Sequence, residues 1–319
     1  MTVGLMTTNA HKLLTLPAPD FNLALTLDSG QTFHWISLGN GFAGVIDQRA
    51  VYVEQHGSVL KVREGETPAL RQRPDGTRVL PGRKSRVAPL RALVAHYFAL
   101  DHPLAEICAS LPDDPAMQMA CEFCRGLRIM RQPRWECLAT FITSSMKQVA
   151  HIRQISHTLR ERFGLRRSLG KVHLYSYPTS EVIADLHEND LRNCALGYRA
   201  KNLLATAQLI ARGEVNLEQL AILPDDELRA ALCALPGVGA KVANCVMLFA
   251  YERLRAFPID VWVERVLRQK YFPRRRKFRP GELQKFSAKH FGAHGGYAQQ
   301  YLFHHARKTT PRRLSAPGS

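Results

Sequence analysis

The run Leu235-Pro236-Gly237-Val238-Gly239-Ala240-Lys241 limits what this chain can fold into more than any other stretch of it. Apolar residues at helical spacing (Leu228, Ala231, Leu232) precede it, and Asp225 and Asp226 stand where a cap would start that helix. Pro236 and Gly237 stop it, and Gly239 opens a second helix over residues 240–251. Two helices about an apolar-Pro-Gly-apolar-Gly turn form a helix-hairpin-helix at about 225–251. Gly237 and Gly239 leave backbone N–H groups bare at a helix N-terminus, where a phosphate can approach the main chain. Lys241 falls in the first turn of the second helix, where the positive end of the helix dipole favours a neutral, nucleophilic amine; the alternative is a solvated lysine beside a phosphate. Asp260 follows the break at Pro258-Ile259, and either caps the next helix or turns its carboxylate toward the same cleft.

Charge supports a polyanionic partner. The 319 residues carry 44 Lys and Arg against 27 Asp and Glu, a net charge of +17, and nucleic acid is the partner that such a balance selects. A basic membrane-surface protein would need an amphipathic anchor or a lipidation motif, and neither is present. Residues 1–16 lack the apolar stretch of a secretion signal, and no run approaches the ~18 apolar residues of a membrane span. A cytoplasmic, nucleoid-associated or nuclear protein is expected, not a secreted one. The seven cysteines are an odd, scattered set, expected to be reduced thiols. Cys121 and Cys124 form a C-x-x-C, but they lack a second pair and share helical spacing with Met117 and Leu127. They read as a helix face before they read as metal ligands. No metal and no cofactor is implied, no surface for a protein partner is readable, and a monomer is expected.

The pattern along the chain predicts an α+β protein, an N-terminal antiparallel sheet domain followed by an all-helical body in two parts. Residues 21–27 alternate strictly, and 31–38, 42–46, 50–54 and 59–62 are further short strands separated by Gly and Asn turns. Residues 67–89 hold four prolines, two glycines and six Lys/Arg and read as a basic loop. From 90 to 305 the pattern is helical, with helices at 90–100, 113–124, 135–145, 149–162, 199–212, 225–234, 240–251, 261–271, 281–290 and 297–306. The predicted layout is a sheet domain over 1–105, a helical domain over 106–306 and a disordered basic tail over 307–319.

Several motifs, in order, resemble one family. Ser29-Gly30-Gln31-Thr32-Phe33-His34-Trp35 is similar to the Ser-Gly-Gln-aromatic motif early in the 8-oxoguanine DNA glycosylase/lyases of the helix-hairpin-helix superfamily. Tyr97-Phe98-Ala99-Leu100-Asp101, Gly126-Leu127-Arg128-Ile129-Met130-Arg131-Gln132, Glu136-Cys137-Leu138, Leu196-Gly197-Tyr198-Arg199-Ala200 and Gly296-Tyr297-Ala298-Gln299-Gln300-Tyr301-Leu302-Phe303 resemble the same family. The resemblance implies a bifunctional enzyme that flips 8-oxoguanine out of double-stranded DNA, excises it through a lysine imine and nicks the strand by β-elimination. It assigns Lys241 as the nucleophile and Asp260 as the anion beside the developing sugar cation. It implies a base pocket in which Cys245 and Phe303 stack on the purine, Gln299 bonds its pairing edge, and the Gly30 carbonyl accepts from N7–H, which guanine lacks. Without it, Cys245 and Phe303 read as core residues, Gly30 as a turn and Gln299 as a surface glutamine.

Tyr198 and Arg199 match the family's wedge and its reader of the orphaned base. The other half of that apparatus departs from the pattern: where an asparagine-rich stretch and an arginine are usual, this chain has Met146, Lys147, Gln148 and, further on, His151. Met146 can fill the gap left by a flipped base but donates no hydrogen bond. Trp262 replaces a histidine that in the family touches phosphate. The run 270–279 holds six Lys/Arg and no acid, and is either a solvated surface or a DNA-backbone contact. The alternatives for the whole chain are an alkylated-base glycosylase of the same superfamily, which lacks the lysine, and a non-catalytic binder of damaged DNA.

Overall fold

Asn22 starts a helix where strict alternation predicts a strand. In the computed structural model, which describes residues 13–65, 88–144 and 148–310, the Asn22 side chain accepts from the Leu25 N–H at 2.9 Å and caps a six-residue helix, α1 (Leu23–Asp28). Leu23, Thr26 and Leu27 are its buried face, at helical rather than strand spacing. The local cap and the Leu/Ala content thus override a period-two pattern over a short segment.

The sheet has five antiparallel strands, β1 (Leu14–Pro17), β2 (Ile36–Leu38), β3 (Gly41–Ile46), β4 (Arg49–His56) and β5 (Val59–Glu64), in the order β1-β5-β4-β3-β2. Register pairs Val53 with Phe42 on one side and Val62 on the other. Of the predicted strand 31–38 only its last three residues are β2; residues 31–35 form a buried loop. One face of the sheet packs Val51, Val53, Leu60 and Val62 against α1 and the helix α2 (Leu90–Tyr97). The other face packs Ala43, Val45 and Tyr52 against Leu169 and Leu174. Those two belong to a hairpin, β6 (Arg166–Leu169) and β7 (Val172–Tyr175), which breaks the all-helical reading of the second part.

The remaining helices are α3 (Leu104–Ala109), α4 (Pro115–Phe123), α5 (Arg134–Ser144), α6 (Val149–Phe163), α7 (Ser180–Ala184), α8 (Glu188–Leu191), α9 (Arg199–Ala211), α10 (Asp225–Cys233), α11 (Ala240–Ala250), α12 (Val261–Val266), α13 (Glu282–Phe291) and α14 (Gly295–Thr309). They share one apolar core running from Leu104 to Leu302. Asp225 and Asp226 lie inside the first turn of α10 rather than capping it, and pair with Arg253 and Arg229. The tail differs from expectation as well: α14 continues through Thr309, Arg307 donates to the Asp28 carbonyl and Lys308 pairs with the Asp28 carboxylate. Residues 311–319 and nearly all of the basic loop, 66–87, lie outside the described residues.

All seven cysteines are free thiols. Cys124 is buried and contacts the Tyr301 carbonyl at 3.6 Å, and burial pushes both Cys121 and Cys124 up to about 12. Among the described residues no group of three or more His, Cys, Asp or Glu is placed to hold a metal ion. No helix among them is long and apolar enough to cross a membrane.

Candidate active site

The hairpin turn is braced from α9. Thr206 Oγ1 donates to the Pro236 carbonyl at 3.0 Å, and Val238 N–H closes the turn on Leu235 O at 3.1 Å. Gly237 adopts φ +78°, and a Cβ there would lie 2.7 Å from the Asn202 Cβ. Gly239 is the N-terminal cap of α11, with no neighbouring atom within 4 Å of the position a Cβ would take. The Gly239 side of the α11 N-terminus is therefore uncrowded.

Lys241 is half-buried in the first turn of α11, its Nζ 5.3 Å from the centroid of the Phe141 ring. Phe141 stacks on Phe249 at 5.5 Å between centroids, giving the amine an aromatic floor. One turn further along α11, Cys245 is buried; desolvation pushes its thiol up to about 11, against the pull of the Lys241 charge. Asp260 caps α12, its Oδ1 accepting from the Val263 N–H at 2.8 Å. Burial holds its carboxyl above the usual range, opposed by that N–H and by Lys241. Asp260 is thus both the cap and a carboxylate in the field of the lysine.

A cleft of ≈ 1370 Å³ collects these groups. Lys241, Cys245 and Asp260 line it together with Gly30, Trp262, Gln299 and Phe303. Gly30 arrives from the sheet end of the chain on a clamped loop. Gln31 Nε2 donates to the Arg128 carbonyl at 2.8 Å, Met130 N–H donates to Gln31 Oε1 at 2.9 Å, and Gln300 Nε2 holds the Ser29 carbonyl at 2.9 Å. Gly30 has φ +86°, and a Cβ there would press on the Phe303 ring at 3.3 Å. Gln299 is 5 % exposed, and its buried Oε1 has no hydrogen-bond partner among the described residues. An amide oxygen desolvated without a donor at the wall of a cleft is what a ligand edge satisfies.

Trp262 is half-buried under the Arg265 guanidinium, 5.2 Å from the ring centroid. Tyr198, Arg199 and His151 do not line the cleft. Tyr198 is 58 % exposed, following positive φ values at Ala195 and Gly197 that turn the chain outward. Arg199 is buried, stacks on Tyr198 at 4.6 Å and donates from Nη1 to the Leu196 carbonyl at 3.0 Å. Both open α9, the helix that braces the hairpin and packs on α5. His151 is exposed in the first turn of α6, and Met146 lies outside the described residues.

Sequence reasoning missed three cleft residues of consequence: Phe141 under the lysine, Arg153 and Arg307. Arg307 was within reach, because Gln299, Phe303 and Arg307 recur every four residues along one helix face. Arg153 carries no such signal, since nothing in its own helix pattern marks the cleft.

The known proteins that this chain is similar to are DNA glycosylases and lyases. The family model for the 8-oxoguanine DNA glycosylase N-terminal domain matches residues 13–138, and that for the HhH-GPD superfamily base excision DNA repair proteins matches 139–289. A probable N-glycosylase/DNA lyase of Methanothermobacter thermautotrophicus is 26 % identical, over 93 % of this chain and 96 % of the relative. The N-glycosylase/DNA lyase OGG1 of Arabidopsis thaliana is 29 % identical over 95 % and 83 %. The crystal structure of the Clostridium acetobutylicum 8-oxoguanine glycosylase/lyase, with double-stranded DNA containing cytosine opposite 8-oxoguanine, superposes with a TM-score of 0.80 at 28 % identity, covering 93 % of this chain and 96 % of that one. Matching models from residue 13 to 289, and a lysine and a capping aspartate on one cleft behind a hairpin, lead to one conclusion: the chain belongs to the 8-oxoguanine DNA glycosylases of the HhH-GPD base excision repair superfamily.

Proposed function

We propose that this chain excises 8-oxoguanine from duplex DNA and then cuts the strand, with Lys241 as nucleophile and Asp260 as the counter-charge of the sugar. The observation that carries the reading is the convergence of Lys241, Asp260, Gly30, Cys245, Gln299 and Phe303 on one cleft, from segments up to 273 residues apart in sequence (303 minus 30). The target base leaves the stack to reach that cleft. Phe303 and Cys245 flank its faces, Gln299 bonds its pairing edge through the otherwise unpartnered amide oxygen, and the Gly30 carbonyl accepts from N7–H. Guanine would set two acceptors against each other there, which is costly in a desolvated pocket.

The glycosidic bond breaks with its electron pair leaving on the base, and positive charge grows on the sugar. The Asp260 carboxylate opposes that charge. Lys241 nitrogen bonds to the anomeric carbon and one of its protons passes to the departed base; the nitrogen lone pair then expels the ring oxygen, which takes up a proton from water, and the ring opens to a protonated imine. The imine acidifies the adjacent C2′–H, and removal of that proton expels the 3′ phosphate. Water finally hydrolyses the imine and frees Lys241. Tyr198 and Arg199, which open α9 outside the cleft, act on the duplex rather than on the lesion, with the hairpin amides after Gly237 and Gly239 holding a backbone phosphate. In sequence, Met146 and His151 stand where the family carries its donors to the orphaned base, and Trp262 stands where it carries a phosphate-contacting histidine. The protein works with chromosomal DNA, in the nucleoid or the nucleus.

Borohydride trapping tests the reading. Lys241→Gln should still bind lesion duplex, because the hairpin and basic surface remain, and should yield no covalent adduct. An adduct of undiminished yield would move the nucleophile elsewhere.

A further inference from the structure

The helix that carries Gln299 and Phe303 brings a third residue to the cleft. Arg307 lines it four residues past Phe303 on α14, with its guanidinium 5.6 Å from the Phe303 ring centroid. Its Nη1 stands 3.4 Å from the point a Cβ on Gly30 would occupy. The far side of the fork is anchored: Nη2 donates to the Asp28 carbonyl and contacts His304 Nδ1 at 3.3 Å. Nε is buried with no partner among the described residues. Burial also lowers the guanidinium from its ordinary value, with Asp28 opposing. The result is a partly desolvated cation, fixed at one end, with donors left over beside Gly30.

8-Oxoguanine differs from guanine at two adjacent atoms. N7 gains a hydrogen, and C8 gains a carbonyl oxygen. An acceptor at Gly30 meets the first, so a donor beside Gly30 is placed to meet the second. We propose that Arg307 donates to the C8 oxygen of the flipped lesion and is a specificity-determining residue: Gly30 reads the added hydrogen, and Arg307 reads the added oxygen. The inference rests on the excision of 8-oxoguanine proposed above. The electron pair that leaves with the base spreads in part to that oxygen, so the contact strengthens as the bond breaks and its loss shows in the rate of excision. Guanine presents only C8–H to the cation.

The test is single-turnover excision by the natural protein, Arg307→Met and Arg307→Lys on duplexes holding 8-oxoguanine or 8-thioguanine. The latter keeps N7–H and replaces the oxygen with sulfur, a poorer acceptor. Methionine keeps the apolar stem on Phe303, and lysine keeps the charge. Loss of one charge-assisted bond slows excision by about tenfold to a hundredfold. Arg307→Met should therefore be slow on 8-oxoguanine, Arg307→Lys intermediate, and sulfur should slow the natural protein far more than it slows Arg307→Met. If the sulfur penalty is equal in the natural protein and Arg307→Met, the residue acts without touching that atom and the inference is overturned. An unchanged rate in Arg307→Met overturns it too. If the natural protein leaves 8-oxoguanine in place, the reading on which the inference rests fails, and the inference with it.

Discussion

Two glycines of the hairpin, two residues apart, should fail for different reasons when given a methyl group. Gly237 holds φ +78°, a conformation that costs an L-residue about 1–2 kcal/mol. Its Cβ would also lie 2.7 Å from the Asn202 Cβ and 2.9 Å from Asn202 Nδ2, and relieving such overpacking costs about 1–3 kcal/mol. The reduced freedom of the unfolded chain offsets about 0.4–1 kcal/mol, leaving Gly237→Ala destabilised by roughly 3 kcal/mol. Asn202 lies on α9, so the clash pushes the turn away from its brace and carries Lys241 with it. Gly239 is extended, at φ −95° and ψ 179°, with nothing within 4 Å of a new Cβ. Replacing this cap with alanine should change stability by less than about 1 kcal/mol. Its methyl group would instead occupy the uncrowded side of the α11 N-terminus. Urea unfolding and duplex affinity at fixed salt separate the two effects. Gly237→Ala should lower the unfolding free energy and weaken excision. Gly239→Ala should unfold like the natural protein and bind DNA on the order of tenfold more weakly, the loss of about one charge-assisted bond. A natural unfolding midpoint for Gly237→Ala would refute the strain argument, and full affinity for Gly239→Ala would remove the hairpin as a phosphate site.

Asp260→Asn should fold and bind, since an amide oxygen can still accept from Val263 N–H, while single-turnover excision slows by about a hundredfold or more. Burial holds the Asp260 carboxyl above its usual range. Excision by the natural protein should therefore fall as pH drops through that raised value and the carboxylate is protonated; the asparagine variant should lack this limb, and an unchanged rate removes the role. Neutralising Arg274, Arg275 and Arg276 together should flatten the slope of log affinity against log salt by up to about 0.9 per lost phosphate contact. Arg275 already pairs with Glu282 at 2.7 Å, so the change should fall short of three contacts, and no change makes the run a solvated surface. Preference for cytosine opposite the lesion should be weaker than in a Met146→Asn, His151→Arg double variant, each missing directional contact removing on the order of 1–3 kcal/mol of discrimination. Excision opposite each of the four bases decides this, and an equally strong cytosine preference in both proteins overturns it.

The sheet was legible where strands are long enough for their pattern to dominate. Residues 42–46 and 50–54 fall within β3 and β4 because Val, Ile and Tyr suit a pleated surface. Residues 21–27 misled because seven residues of alternation also contain Leu23 and Leu27 at helical spacing, and Asn22 tips the balance by satisfying the Leu25 amide. β6 and β7 were hidden for another reason. They are four residues each, and what secures them is the sheet face they cover, through Leu169 and Leu174 against Ala43, Val45 and Tyr52. A strand held by tertiary burial leaves little local signal.

The site divides along the same line. Lys241 and Asp260 follow from helix starts, which are local chemistry and survive in a bare sequence; one-turn spacing puts Cys245 on the face of Lys241, but without the resemblance it reads as core. Gly30 and Gln299 meet only because the Ser29-Gly30-Gln31 loop is clamped to the 128–132 segment and to Gln300. No periodicity announces that meeting; only the resemblance did. Arg199 shows the converse. A loop arginine beside an exposed tyrosine invites the role of a reader, yet the fold buries it against Leu196 O and Tyr198. To reach a base it must leave a carbonyl and an aromatic face, each of which DNA would have to replace. The free energy of that exchange counts against its discrimination of the opposite base, which is why the donors absent at Met146 matter more here than they would beside an arginine free to turn.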